Sequence, residues 1–192
     1  MKNFKQIYCR VDGDALLDRI ASYPKLWDEV TFRQDFEGSP HKDTQAIIMR
    51  GPASLSYQDT MQSIACYDYP IAGVLKDYIG PALVPMLNAL CITELGRVMI
   101  VKLKAGGHVT AHIDEGEYAD HYARFHVALS TNEHCIQTSG DEGCHFPAGT
   151  AWWFDHKKTH TASNYGDTDR IHIIADAVTP FFPMSKQLRS DQ

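Results

Sequence analysis

From Leu95 onward the chain breaks into short β-prone runs at even intervals, and this limits the folds open to it more than any other feature. Arg97 to Leu103, Ala123 to Ser130, Cys135 to Thr138, Thr150 to Phe154 and Arg170 to Ala175 have strand composition. Gly106-Gly107, Ser139-Gly140-Asp141 and Asn164-Tyr165-Gly166-Asp167 supply turn residues between them. Short strands punctuated in this way predict an antiparallel jelly roll or barrel. The earlier part reads as mixed α/β. Asp12-Gly13-Asp14 opens a short packing helix that carries Leu16, Leu17, Ile20 and Ala21 and ends near Pro24. Gln45 to Met49 has strand composition and stops at Arg50-Gly51-Pro52, and Gly80-Pro81 predicts the opening of a second helix within Ile79 to Cys91.

At 192 residues the chain suits one domain, at roughly 100 to 200 residues each. The expected class is mainly β with flanking helices (α+β). Several functions are disfavoured at this point. Ile71 to Ile92, the most apolar stretch, is broken by Lys76, Asp77, Pro81 and Pro85, so no membrane span of about 20 apolar residues is expected. Met1-Lys2-Asn3-Phe4-Lys5 lacks the pattern of a secretory signal, which makes a cytoplasmic location the expectation. Five scattered cysteines without CxxC spacing indicate neither a disulfide framework nor a zinc finger. A net charge of −6 with no basic run beyond Lys157-Lys158 gives no support for nucleic-acid binding. Oligomeric state is left open.

Nine of the ten histidines fall between His108 and His172, so chemistry is expected there. His112-Ile113-Asp114 places an imidazole and a carboxylate at i and i+2, on one face of an extended chain. His160 follows Asp114 by 46 residues, across three candidate strands, and a β-sandwich returns such a remote strand beside the first. Two histidines and one carboxylate fit the facial triad of non-haem Fe(II) enzymes, which leaves coordination positions open. His156 is an alternative to His160 as third ligand; its HxxxH spacing with His160 is not a zinc-protease motif, because the position where that motif needs Glu is Lys157.

Arg170 begins the apolar run Ile171-His172-Ile173-Ile174, so a permanent charge enters a strand that otherwise faces a core. It needs either a bound carboxylate or a salt bridge to Asp167, Asp169 or Asp176. Arg124 and His126 share one face of their strand and make a second anion-binding element. The remaining histidines, His108, His121, His134, His145 and His172, read as structural or exposed, although His172 shares a face with Arg170. Trp152 and Trp153 point to opposite faces, one toward the core. Arg50 is either a solvated strand end or a grip for a substrate carboxylate.

Taken together, Gly107-His108-Val109-Thr110-Ala111-His112, the Arg124-x-His126 pair with Leu129, Gly149 to Phe154 with Asp155 and then His160, and Arg170 to Asp176 resemble the aspartyl/asparaginyl β-hydroxylase family. The resemblance covers about residues 95 to 180. It implies a double-stranded β-helix (jelly roll, cupin-like) over 95–180 within a single oxygenase domain over 1–192, with residues 1–94 as an α/β support that shapes the substrate pocket. It also implies Fe(II) held by His112 and His160, 2-oxoglutarate as cosubstrate with its far carboxylate on Arg170, Arg124 and His126 near its oxalyl end, and O2 as oxidant. Asp114 stands where the animal enzymes of the family have glycine, which completes a triad as in related free-proline hydroxylases, and Val101 stands where they have serine. The expected activity is hydroxylation of an aliphatic carbon of a free amino acid, or of an amino-acid side chain in a peptide. Two rivals share the barrel: a cupin-like metalloprotein acting without 2-oxoglutarate, such as an isomerase or a ring-opening dioxygenase, and a binding module with a decayed metal site.

Overall fold

A computed structural model describes residues 1–182, so residues 183–192 of the expected domain lie outside the described residues. Eleven strands and five α-helices occur among the described residues. In chain order they are β1 (Phe4–Ile7), α1 (Asp14–Ala21), α2 (Phe32–Asp35), β2 (Thr44–Gly51), α3 (Tyr57–Gln62), β3 (Tyr67–Asp68), α4 (Pro70–Ala89) and β4 (Glu94–Leu103). There follow β5 (His108–His112), α5 (Glu117–His121), β6 (Ala123–Ser130), β7 (Cys135–Ser139), β8 (Glu142–Cys144), β9 (Thr150–Phe154), β10 (His160–Asn164) and β11 (Arg170–Val178).

The strands form two sheets. The larger has the order β1-β9-β6-β11-β4-β2-β3 and the smaller β5-β10-β7-β8, with every pairing antiparallel. This is the jelly-roll, cupin-like double-stranded β-helix, mainly β with flanking helices. Strands from both sides of residue 94 share the larger sheet: β1 pairs with β9 and β2 with β4.

Alternation along the central strands explains both faces of that sheet. Phe125, Val127, Ile173, Ala175, Ile100 and Val98 pack with Leu16 and Ile20 of α1 and with Leu75, Ile79, Leu83 and Met86 of α4. The other face carries Arg124, His126 and Ala128 on β6 beside Arg170, His172, Ile174 and Asp176 on β11, with register pairs His172↔Ala128, Ile174↔His126 and Asp176↔Arg124. One face is thus an oily bed for helices, and the other lines up ionisable groups toward the interior.

The second helix departs from expectation. It begins at Pro70, not at Gly80-Pro81, and both Pro81 and Pro85 lie inside it. Proline at 85 removes the N–H that would bond the Pro81 carbonyl; that carbonyl instead accepts from the Asp12 backbone N–H at 3.3 Å. Burial of Leu75, Ile79, Ala82, Leu83 and Met86 offsets the lost bonds. Strand β11 also runs past the expected Ala175 to Val178, because Asp176, which reads as a break in the apolar run, is satisfied in the interior. Trp152 and Trp153 do face opposite ways: Trp152 stacks on Phe146 with centroids 5.1 Å apart, and Trp153 stacks on Phe182 at 5.0 Å. Arg50 donates to Asp68 at 2.8 Å and to the Leu95 carbonyl at 3.2 Å, as a strand end does.

Candidate metal centre

His112 ends β5 and His160 begins β10, and the two are direct register partners across the smaller sheet. Their ring centroids stand 4.2 Å apart. Asp114 lies just past the strand, with Oδ1 at 3.8 Å from His112 Nε2 and Oδ2 at 3.9 Å from His160 Nε2. One ligand atom from each of the three falls within 4.8 Å of the others. Both rings are held the same way: His112 Nδ1 contacts the Thr110 carbonyl at 2.8 Å, and His160 Nδ1 contacts the Lys158 carbonyl at 2.9 Å. A carbonyl can only accept, so each Nδ1 carries the proton and each Nε2 offers its lone pair to the cluster, as metal-bound histidines do. Burial pulls His160 down to about 4, so it is neutral and free to ligate at neutral pH.

The loop carrying Asp114 is pinned. Asp114 N–H donates to the His156 carbonyl at 3.2 Å. Gly116 has φ of +94°, and a Cβ there would sit 2.5 Å from the Met61 carbonyl oxygen, so only glycine fits. Burial alone would raise the Asp114 carboxyl; Arg124, His156 and His160 more than reverse this and hold it well below the usual carboxylate range. Arg124 Nη1 donates to Asp114 Oδ2 at 2.5 Å, while its Nε and Nη2 clasp Asp176 at 2.8 and 2.9 Å. Tyr118 Oη also donates to Asp176, at 3.0 Å. His156 meets Asp114 Oδ2 through Nδ1 at 3.2 Å and the Tyr122 carbonyl through Nε2 at 3.1 Å, so both its nitrogens are engaged outside the cluster of three.

Arg170 is 4 % exposed and has no ion pair among the described residues. Asp176 is taken by Arg124, and Asp169 accepts from the Ala105 backbone N–H. Arg170 Nε and the neighbouring His172 Nε2 are both buried without a hydrogen-bond partner. Burial pulls Arg170 down to about 10, which leaves it charged at neutral pH. A buried charge with open donors is costly unless an anion meets it. The same inner face carries His126, whose Nδ1 lies 3.3 Å from His172 Nδ1.

Burial, reinforced by Arg170, pushes His126 and His172 well below the usual histidine range. The unfolded chain takes up protons at these positions below about pH 6.5 and the native one does not, so the stability they allow is present above that value and lost as pH falls. Each contributes a slope of up to about 1.4 kcal/mol per pH unit. Urea titrations between pH 6 and 5 are expected to show His172→Asn flattening the slope by about that amount; an unchanged slope rejects the assignment.

A cavity of about 470 Å3 opens beside His112, Asp114 and Arg124 and runs to Arg33, Met99 and Arg97. His41 stands edge-on to the His112 ring at 5.0 Å. Sequence reasoning missed the Arg124–Asp176 clasp, the hold of His156 on Asp114, and the contributions of Arg33, His41, Arg97 and Tyr118. Arg97 does share strand parity with Met99 and Val101, a signal that was available. Arg33 lies in a segment with no periodicity, and nothing marked it.

Fold and site together define a cupin-like protein with a His-Asp-His cluster. The aspartyl/asparaginyl β-hydroxylase profile matches residues 80–180, and the chain belongs to that family. It is 29 % identical over 106 residues to an L-proline cis-4-hydroxylase of Rhizobium meliloti (strain 1021), a match that covers 53 % of this chain and 38 % of that relative. The chain therefore matches well under half the length of that protein. Its fold is similar to that of an oxidoreductase of the 2OG-Fe(II) oxygenase family from Burkholderia pseudomallei, with TM-score 0.50, 9 % identity, and coverage of 70 % of this chain and 65 % of the other. Among the described residues no helix is long and apolar enough to cross a membrane.

Proposed function

We propose that this chain is an Fe(II)- and 2-oxoglutarate-dependent dioxygenase, a single oxygenase domain over 1–192, that hydroxylates an aliphatic carbon of a free amino acid or of an amino-acid side chain in a peptide. The observation that carries this reading is the pairing of a neutral-imidazole and carboxylate cluster with Arg170, a buried guanidinium that the protein's own acids leave unmet. Membership of the family and the likeness to a proline hydroxylase support it.

In this reading His112, Asp114 and His160 would hold Fe(II), and Arg170 would take the far carboxylate of 2-oxoglutarate. When bound, iron and 2-oxoglutarate supply the oxidising power for C–H hydroxylation from O2. The chain's residues set the conditions. Arg124 keeps Asp114 ionised and holds its Oδ2, and in this reading Arg124 and His126 would lie near the cosubstrate's oxalyl end. Charge accounting supports the set. Asp114 and Asp176 against Arg124 leave one negative charge at the metal end, and Arg170 leaves one positive charge farther along. A divalent cation with a dianionic cosubstrate preserves that balance. The cupin-like alternative without 2-oxoglutarate leaves Arg170 with nothing to hold.

Adding 2-oxoglutarate to the anaerobic Fe(II) protein is expected to produce a visible metal-to-ligand charge-transfer band. Arg170→Ala should keep iron and weaken cosubstrate affinity by about 1.5–3 kcal/mol, the scale of hydrogen bonds to a charged group. Absence of the band, or equal affinity in the variant, defeats the proposal. So does cosubstrate consumption by His112→Ala at the wild-type rate.

A further inference from the structure

Among the described residues, Arg170 and His172 are the only fully buried residues left with an unpartnered polar atom, Nε of the one and Nε2 of the other; the remaining unpartnered atoms belong to half-buried Arg19, Gln34 and Arg97. Both project from the same inner face of β11, because residues two apart on a strand share a face. The oxygenase reading gives Arg170 a ligand and leaves His172 without one. Its register partners, Val101 on β4 and Ala128 on β6, carry no polar side-chain atom for Nε2. Phe146 lies stacked against the ring, with centroids 6.0 Å apart. On the other side of the ring, Nδ1 meets His126 Nδ1 at 3.3 Å. Burial holds both histidines well below the usual range, so both are neutral at pH 7. Two neutral imidazoles that meet through Nδ1 share one proton there, which locks their tautomers together. Either His172 donates and its Nε2 is a bare lone pair, or His126 donates and His172 Nε2 carries a proton. A buried polar atom of either kind is costly until something meets it.

We infer that His172 is a second cosubstrate-binding residue, its Nε2–H donating to the far carboxylate beside Arg170 while His126 Nδ1–H donates to His172 Nδ1 and holds that tautomer. This rests on the oxygenase reading and deepens it by assigning a residue that the cluster and Arg170 leave unused. A carboxylate can only accept, so it selects the form of His172 with the proton on Nε2, and it has lone pairs enough for two donors on one strand face. The hydrogen bond made by one ring nitrogen fixes what the other can do, and His126 supplies that bond. The consequence is a choice among 2-oxo acids. A molecule with a second carboxylate meets both buried donors, and one without it leaves both unmet.

The test is anaerobic titration of the Fe(II) protein with 2-oxoglutarate and with 2-oxobutyrate, which keeps the oxalyl end and lacks the far carboxylate, followed by calorimetry and by the charge-transfer band. His172→Phe keeps the ring against Phe146 and removes the donor. It is expected to weaken 2-oxoglutarate binding by roughly tenfold or more, the scale of one hydrogen bond to a charged acceptor, and to leave 2-oxobutyrate binding nearly unchanged. His172→Gln, which returns an N–H, should restore part of the loss. In histidine-15N spectra of the protein loaded with diamagnetic Zn(II), 2-oxoglutarate should leave His172 with its proton on Nε2 and His126 with its proton on Nδ1. Equal losses for the two acids in His172→Phe would mark a structural role and overturn the inference. Wild-type 2-oxoglutarate affinity in that variant, which would assign Nε2 to a buried water, or a bare Nε2 in the spectra also overturns it. A wild-type protein that binds neither acid defeats the oxygenase reading itself, and this inference falls with it.

Discussion

Asp114→Ala is expected to lower Fe(II) affinity by more than 100-fold. Loss of a group that merely orients a ligand costs roughly 10- to 100-fold in metal affinity, and Asp114 is the only anion in the cluster of three. Its carboxyl is ionised throughout the neutral range because Arg124 and His156 outweigh the effect of burial, so no proton competes with the metal. Asp114→Asn keeps the shape and discards the charge, and should fall between alanine and wild type. Competition against a chromophoric chelator under nitrogen measures all three. Wild-type affinity in Asp114→Ala would show that the metal, if held, is held elsewhere. Folding should suffer less than metal binding, since Arg124 retains its two bonds to Asp176 in the variant.

Asp176→Ala should instead act on stability, with a loss of about 3–5 kcal/mol, the cost of stripping one partner from a buried pair. Asp176 is 1 % exposed and accepts from Arg124 twice and from Tyr118 once. Burial alone would raise its carboxyl, and Arg124 holds it down. Without it, Arg124 is left to Asp114 alone, which draws that carboxylate away from the two imidazoles. A domain of this kind has roughly 5–15 kcal/mol in total, so the change removes a large share. Urea denaturation measures it, and a loss below 1 kcal/mol would show that the clasp contributes little. Asp176→Asn, which keeps hydrogen bonding, should lose less.

What could be read before the coordinates follows a physical line. The central strands of the larger sheet announce themselves because both faces are buried or alternate cleanly: β6 and β9 occur at the expected bounds, Ala123–Ser130 and Thr150–Phe154, whereas the short edge strands β1 and β3 were not read. Strands of the smaller sheet are short and polar, as in His160-Thr-Ala-Ser-Asn, so β5, β8 and β10 had no apolar alternation to reveal them. The cluster itself was legible because its chemistry is carried by residue types that are rare together. Its supports were not: Asp176 reads as one of several acids near Arg170, and only the register Asp176↔Arg124 assigns it to the other arginine. The helix start at Pro70 was hidden because two prolines mark a break, unless a distant N–H takes up the carbonyl they free.

The placement of β2 has an evolutionary corollary. It is zipped to β4 along Thr44 to Arg50, yet it contributes none of His112, Asp114, His160 or Arg170, and the stretches flanking it, around Arg33 and Met61, wall the cavity. The cavity wall is thus shared by both parts of the polypeptide, with Arg97 and Met99 of β4 and the Asp114 loop facing the stretches around Arg33 and Met61. Exchanging the segment between α1 and α4 would therefore reshape the centre together with the cavity, because Met61 abuts Gly116 in the Asp114 loop and His41 stands against the His112 ring.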